Sequence, residues 1–335
     1  MSIAALVVNF NTAGLTVRCV ESLLRQQQLS RILVIDNGSE PEDVAALAAG
    51  MPPGAELLCN AENLGFAGAC NQGIRVLLRE PGVHAVLLFN SDAEAEPGLV
   101  AAMAAMLDAD GRVSMVGAPM YRHGEPGALD SSGIAFYASC IASNRVDTGD
   151  PLFGPTGGCA LYSRALLVEL QAVHGYCFDE AFFCYAEDTD LAARALLLGH
   201  RPAIASGAAA HHHGQASSGG GFSRFVLYHG MRNSVWTMLK CVPWPVLLLR
   251  SPWILLAHAG VLLRHVRRGE ARTVLRLYRD ALRRVPQVLA QRRAVQSARR
   301  ITAAQFAGFM SGKFYDRGYA WNAVKDLFAS PRRHR

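Results

Sequence analysis

No two of the eight cysteines stand in a C-x-x-C arrangement, and their positions (19, 59, 70, 140, 159, 177, 184 and 241) have neither zinc-ligand spacing nor the density of a disulfide scaffold. They read as reduced thiols, which points to a cytosolic compartment. A basic leader and a small-residue cleavage site are also missing: Met1-Ser2-Ile3 runs directly into an apolar stretch, so no secretory signal is expected. Neither G-x-G-x-x-G nor G-x-x-x-x-G-K-[ST] follows a strand-like run, which disfavours dinucleotide dehydrogenases and P-loop enzymes. Long uninterrupted apolar runs are scarce. Residues 246–263 are strongly apolar, but Arg250, Pro252 and His258 interrupt them, leaving 13 residues between Arg250 and Arg264. A spanning helix needs roughly 20, so this segment is expected to be interfacial or buried.

What is present suits a folded protein. The 335 residues are 51% hydrophobic and 18% charged, excluding disorder and low-complexity classes and allowing one large domain or two unequal ones. The net charge of +6 conceals a segregation. Residues 1–239 carry 13 Lys and Arg against 23 Asp and Glu, a balance of −10; residues 240–335 carry 20 against 4, a balance of +16. A basic end of this kind reads as a surface that meets an anionic partner.

Three apolar runs, at 4–10, 32–35 and 84–89, are each followed by a helical pattern, the signature of alternating strands and helices and hence of a mostly parallel sheet flanked by helices. Asn11 and Thr12 are placed to cap a helix reaching about Gln27, and Pro97 to open another reaching about Asp108. A strand is expected over 113–120, loops with a strand or hairpin over 121–160, and helices over 163–173 and 189–198, the second stopped by Gly199. The Ser/Gly-rich stretch 216–221 suits a loop before a change of composition at about Phe222. Downstream, Val274, Tyr278, Ala281, Val285 and Val288 recur at helical spacing while Arg272, Arg276, Arg279, Arg283 and Arg284 take other faces. That is an amphipathic basic helix, kinked at Pro286, with two readings: contact with an anionic membrane, which the preceding apolar run favours, or an ordinary stripe packed on the rest of the chain. Such a helix can equally pair with a second subunit. Few aromatics interleave with the arginines, so nucleic-acid binding has little support.

In an open parallel sheet, ligands bind beyond the carboxyl ends of the strands. Those ends carry Asn9-Phe10-Asn11, Asp36-Asn37-Gly38-Ser39 and Asn90-Ser91-Asp92-Ala93-Glu94. Turn chemistry accounts for any one of them; all three together describe a crevice with an aromatic face, amides and carboxylates, suited to a nucleotide whose diphosphate is held by a cation with hard oxygen ligands, Mg²⁺ or Mn²⁺.

Here the sequence resembles a family. Val7-Val8-Asn9-Phe10-Asn11, Ile35-Asp36-Asn37-Gly38-Ser39, the run Glu62-Asn63-Leu64-Gly65-Phe66-Ala67-Gly68-Ala69-Cys70-Asn71-Gln72-Gly73, and Phe89-Asn90-Ser91-Asp92 are similar in order and spacing to the inverting family 2 glycosyltransferases, nearest the bacterial rhamnosyltransferase type. The likeness continues through Gly157-Gly158-Cys159-Ala160-Leu161, Phe178-Asp179-Glu180-Ala181-Phe182-Phe183, Glu187-Asp188-Thr189-Asp190-Leu191 and His212-His213-Gly214.

The resemblance implies a GT-A type fold over residues 1–240, with a donor part to about 120 and an acceptor part beyond it, and a nucleotide-sugar donor such as dTDP-rhamnose or a UDP-sugar. The basic charge and the apolar run add the expectation of a helical membrane-associating region over 241–335, and with it a lipid-linked saccharide acceptor and a peripheral location on the inner face of the cell membrane. By similarity Asp36 contacts the base with Phe10 and Asn11 beside it, Asn63 lies near the donor, and Asp92 matches the metal-holding last position of the D-x-D element, whose first position is Asn90 here. His212 fits the family's histidine and Glu94 is a possible further metal ligand. Gly157, Gly158 and Glu187 fall on the acceptor side, and Asp188 at the family's general base; its alternative role is to cap the following helix. A non-catalytic nucleotide-sugar binder or membrane scaffold on the same fold is the competing reading, kept open by Asn90.

Overall fold

A computed structural model describes residues 1–214 and 223–316, so the stretch 216–221 and the composition change at Phe222 lie outside the described residues. Along the chain run β1 (Ile3–Asn9), α1 (Ala13–Leu24), β2 (Leu29–Asp36), α2 (Pro41–Gly50), β3 (Glu56–Cys59), α3 (Gly65–Leu77), β4 (Ala85–Asn90), β5 (Ala93–Ala95), α4 (Leu99–Ala109), β6 (Val113–Gly117) and β7 (Met120–Arg122). Then come β8 (Leu129–Ser131), β9 (Ile134–Phe136), β10 (Ala142–Asn144), β11 (Cys159–Ser163), α5 (Arg164–His174), α6 (Glu187–Leu197), β12 (Arg201–Ile204) and β13 (Ala210–His212). Five helices close the described chain: α7 (Arg224–Cys241), α8 (Trp244–Arg267), α9 (Ala271–Arg283), α10 (Val285–Ser297) and α11 (Ala303–Gly308).

The central sheet has the order β12-β6-β11-β4-β1-β2-β3 and is parallel except for β11, which runs against both neighbours. The expected mostly parallel sheet is therefore observed. Its two faces follow from strand alternation: Ala4 and Leu6 of β1 face the core beneath α3, α5 and α6, while Ile3, Ala5 and Val7 face the one beneath α1 and α4. Because β1, β2 and β4 are parallel and in register, with Asn9 opposite Asp36 and Val8 opposite Asn90, their polar last residues reach one edge of the sheet together.

Several boundaries differ from the sequence reading. Thr12 precedes α1 but turns its hydroxyl to Asn9 Oδ1 (3.0 Å); Asp43 of α2 accepts from the Ala13 N–H (2.9 Å) instead, supplying the cap from another element. The strand expected over 113–120 is divided at Ala118-Pro119, so that β6 stays in the main sheet and β7 enters a second sheet, β5-β13-β7-β8. Residues 121–160 hold β8, β9, β10 and the start of β11, too short and too rich in Gly and Ser to show a period. The chain breaks between α9 and α10 at Arg284 rather than kinking, because Pro286 lies in the first turn of a new helix.

The basic end folds onto the sheet. Cys241, Val242, Val246, Leu247, Val295 and Phe306 belong to the same core as Leu6 and Leu88. Val274, Leu277 and Ala281 of α9 are buried, and α9 packs on α7, where Trp236 donates its indole N–H to the Ala281 carbonyl at 3.1 Å. The stripe thus has a protein partner, while the arginines face outward. Segment 246–263 lies within one 24-residue helix that runs through Arg250 and Pro252 and is long and apolar enough to cross a membrane. Of the two expectations for it, burial is overturned: Leu248, Leu249 and Leu255 are 72, 75 and 70% exposed, since only one side of α8 meets the protein.

Candidate active site

Asp36 closes β2 entirely out of solvent. Its carboxylate accepts from Asn9 Nδ2 (2.8 Å) and from the Ser39 hydroxyl (2.6 Å) and N–H (3.2 Å), which ties the ends of β1 and β2 together. In this conformation Asp36 braces the crevice. Phe10 is half-buried and Asn11 exposed; Asn11 takes a left-handed conformation (φ 54°) and accepts from the Glu40 N–H at 2.8 Å. Asn63 accepts from Asn37 and from the Gly65 N–H (2.8 Å), fixing the turn into α3. These residues share the crevice rim, and each also has a job in the scaffold.

At the end of β4 the chain delivers Asp92 beside His212 of β13, with Oδ1 and Nε2 3.1 Å apart. His212 Nδ1 is held by Asp130 Oδ2 at 2.9 Å, and Asn90 Nδ2 approaches Nε2 at 3.4 Å. Burial alone would depress the imidazole, but Asp130 and Asp92 carry it up to about 9. The donor set fits a divalent cation: one carboxylate and one imidazole at chelating separation, the imidazole backed by a second carboxylate that fixes its ring. Glu94 is not part of this pair. It lies with His213 (3.3 Å) and His123, because successive residues of a strand point to opposite faces and His213 follows His212.

Asp188 stands across the start of β11 from that pair. The helix it belongs to starts two residues earlier than the sequence suggested, with Ala186 at the cap, so Asp188 sits inside the first turn instead of capping it. Its Oδ2 accepts from the Gly157 N–H (3.0 Å) and its Oδ1 from the Thr189 N–H (2.6 Å) and hydroxyl (3.2 Å). Burial raises its carboxyl above the ordinary range, and these hydrogen bonds restrain the rise. Glu187 differs. It is 5% exposed, its Oε2 has no hydrogen-bond partner, and burial followed by repulsion from Asp188 and Asp190 pushes it far above the carboxylate range. Two adjacent carboxyls are thereby set apart, Glu187 raised further than Asp188 by its burial and by its acidic neighbours. The two glycines allow close approach. A side chain at Gly158 would press within 3.2 Å of Asn90 Nδ2 and Met120, while Gly158 accepts from the Asn90 N–H at 3.0 Å.

Two supporting residues went unrecognised in the sequence. Phe183, Tyr185 and Ala186 all have positive φ (65°, 69° and 63°), a strained approach to Glu187-Asp188. The fully buried Asn233 of α7 holds that loop through its amide, which lies 2.9 Å from the Phe182 and Cys184 carbonyls and 2.7 Å from that of Tyr185. Lys240, at the other end of α7, is buried between Asp179 (2.7 Å) and Asp190 (2.8 Å), and Asp190 also pairs with Arg194 (2.8 Å). The signal for Lys240 is the same as for Arg194: a cation in an otherwise apolar helical pattern.

The comparisons bear on the fold. Residues 5–170 match the family described as Glycosyl transferase family 2. A search of curated protein sequences gives no match. Among solved structures, GalNAc-T7 with UDP, GalNAc and Mn²⁺ superposes with a TM-score of 0.57 at 13% identity, covering 78% of this chain and 51% of that one. The mannosyltransferase PcManGT from Pyrobaculum calidifontis with GDP-Man and Mn²⁺ gives 0.52 at 18%, covering 88% and 85%. S. aureus TarS 1–349 in complex with UDP-GlcNAc gives 0.57 at 17%, covering 92% and 89%. The fold is that of the GT-A glycosyltransferases, and the stretch that matches the family 2 model spans just under half of the chain.

Proposed function

We propose that this chain is a metal-dependent, inverting glycosyltransferase that moves a deoxyhexose such as rhamnose from a dTDP- or UDP-linked donor to a hydroxyl of a lipid-linked saccharide. One observation carries the reading: Gly157 donates its N–H to the half-buried carboxylate of Asp188, and Gly158 beside it accepts from the N–H of Asn90, two residues before the Asp92 that meets His212. Asp92 and His212 would hold Mg²⁺ or Mn²⁺, which when bound offsets the charge of the departing nucleoside diphosphate. The cations in the GalNAc-T7 and PcManGT structures support the choice of metal, and UDP-GlcNAc in the TarS complex supports a nucleotide-sugar donor.

In the reaction, the acceptor oxygen forms a bond to the anomeric carbon as the bond from that carbon to the diphosphate oxygen breaks, and Asp188 takes the acceptor's proton. A single displacement inverts the anomeric centre. The raised carboxyl of Asp188 favours proton uptake as the acceptor becomes an alkoxide. Asp130 keeps the His212 ring oriented toward Asp92.

We further infer that the protein works on the cytoplasmic face of a membrane without spanning it. The exposed leucines of α8 adjoin the outward arginines of α9, a combination suited to an anionic leaflet carrying a lipid-linked acceptor. The free state of all eight cysteines accords with a reducing compartment.

Calorimetric titration with dTDP-rhamnose and UDP-sugars, with and without Mg²⁺ or Mn²⁺, together with release of nucleoside diphosphate, tests the reading. Metal-dependent binding with slow release for one donor is expected. Absence of binding to every nucleotide sugar refutes it.

A further inference from the structure

His213 does not join His212 at the donor crevice. Being the next residue along β13, it emerges on the opposite face of the small sheet, and there it meets two partners from neighbouring strands. Glu94 comes from the middle of β5, which is antiparallel to β13; His123 comes directly after β7, which is parallel to it. One ligand atom from each of Glu94, His123 and His213 falls within 4.8 Å of the other two, the one such group of three among the described residues. The imidazoles of His123 and His213 stack with centroids 3.8 Å apart.

We propose that Glu94, His123 and His213 form a second metal site, separate from Asp92–His212, for a borderline divalent transition metal of the zinc type. Two imidazoles and one carboxylate are the hallmark of such ions, whereas Mg²⁺ prefers oxygen alone. Ligand bonds of about 2.0–2.2 Å in a tetrahedron place donor atoms about 3.3 Å apart, and His213 Nε2 already lies 3.3 Å from Glu94 Oε1. The remaining closure, from within 4.8 Å, falls to His123, whose exposed side chain would swing out of its stack on His213 to turn a ring nitrogen to the ion. Glu94 also touches Arg18 at 3.6 Å, a half-exposed surface contact that metal binding would displace at little cost.

The backbone explains what such a metal would do. The His213 N–H donates to the Asp92 carbonyl and the His123 N–H to the His212 carbonyl, both at 2.9 Å. A metal joining β5, β13 and the chain after β7 would therefore clamp the two residues of the donor pair from behind, stabilising their placement without touching substrate. This inference does not depend on the transferase reading, since it concerns metal binding by the free chain.

The test uses chelator-treated full-length protein titrated with ZnCl₂, and with CoCl₂ for its visible absorption, without nucleotide. The expected result is one tight equivalent retained in Asp92→Asn at the parent's affinity, with a rise in thermal midpoint. In His123→Ala, whose side chain is exposed and whose metal-free melting should match the parent, affinity should fall by more than the roughly 10–100-fold that loss of an outer-sphere partner costs. Glu94→Gln should do the same. Zinc affinity unchanged in His123→Ala overturns the site, as does loss of all zinc binding in Asp92→Asn, which would assign the metal to the donor pair alone.

Discussion

The backbone N–H of Gly157 donates to Asp188 Oδ2 at 3.0 Å, and the carbonyl of the next residue accepts from Asn90. One peptide segment thus spaces the proposed base from the end of the strand that delivers Asp92. Replacing Asp188 with Asn keeps the shape and the Thr189 contacts but removes the proton acceptor. Transfer by Asp188→Asn is expected to fall about 10²–10⁴-fold, with donor affinity in calorimetry within about twofold of the parent. Comparable losses in both would place Asp188 in donor binding.

Asn233 reaches the same carboxylate indirectly. It satisfies three carbonyls of a loop in which three non-glycine residues have positive φ. Asn233→Ala leaves those carbonyls without their shared donor and lets the loop relax, costing about 1–3 kcal/mol of stability. The discriminating readout is kinetic: kcat should drop while the KM for the donor stays, because Asp188 shifts and the Asp92–His212 pair does not. A variant that is destabilised but fully active at low temperature would make Asn233 purely structural.

The parts of this arrangement that were legible in the sequence are those made by neighbours in the chain. Polar residues ending each apolar run located the crevice, since in parallel strands Asn9, Asp36 and Asn90 must reach the same edge. The role of Asp36 was not legible. Its partners Asn9 and Ser39 absorb the carboxylate, and whether an Asp at a strand end looks into a crevice or braces it depends on the strand beside it. Distance in sequence hid more: Asp130 supports His212 from 82 residues away and Asn233 supports Cys184 from 49. Adjacent histidines on an extended segment cannot all turn the same way, but strands of three residues such as β5, β7 and β13 carry no usable period, so the meeting of His213 with Glu94 and His123 was not legible.

Lys240 is buried between Asp179 and Asp190, and joins α7 to the start of α6. Burial opposes the charge on Asp190, yet Lys240 and Arg194 hold its carboxyl below the ordinary range. Removing one partner of a buried network leaves the others uncompensated, so Lys240→Met should cost about 3–5 kcal/mol, read as a lowered urea midpoint. The sign with pH follows. The contribution of Asp190 is present above its unfolded pKa, about 3.9, and is lost as pH falls through its lower folded value. In Lys240→Met part of that acid sensitivity should move to higher pH. An unchanged midpoint would mean that the network breaks even against a hydrophobic side chain.

His229 packs between Phe183 and Phe225, with ring centroids at 5.5 and 4.5 Å, and accepts from Arg232 at 3.1 Å. Burial and then Arg232 lower it from 6.5 to about 4; burial and then Arg194 bring His174 to about 4 as well. The unfolded chain therefore binds more protons between these values. Stability from both residues is complete above about pH 6.5 and declines as pH falls toward 4. His229→Phe, which keeps the ring packing, should flatten the change in unfolding free energy between pH 7 and 4.5 by on the order of 1–2 kcal/mol, allowing for partial exposure. A slope identical to that of the parent would show that His229 is free to protonate in place.

The exposed leucines of α8 make the membrane proposal separable from folding. Leu248, Leu249 and Leu255 contribute little to the core, so Leu249→Glu with Leu255→Glu should change the unfolding midpoint only slightly, within about 0.5 kcal/mol per site. Binding to vesicles containing anionic lipid should nevertheless weaken sharply, because each substitution removes buried apolar area at the interface and adds a charge repelled by the leaflet. Charge reversal at Arg276 and Arg279 of α9 should act differently, weakening binding mainly at low salt, since exposed charges interact over roughly a Debye length. If the leucine variant sediments with vesicles as well as the parent does, the apolar face of α8 meets something other than lipid; if it also changes the mass of the protein in solution, that partner is a second copy of the chain.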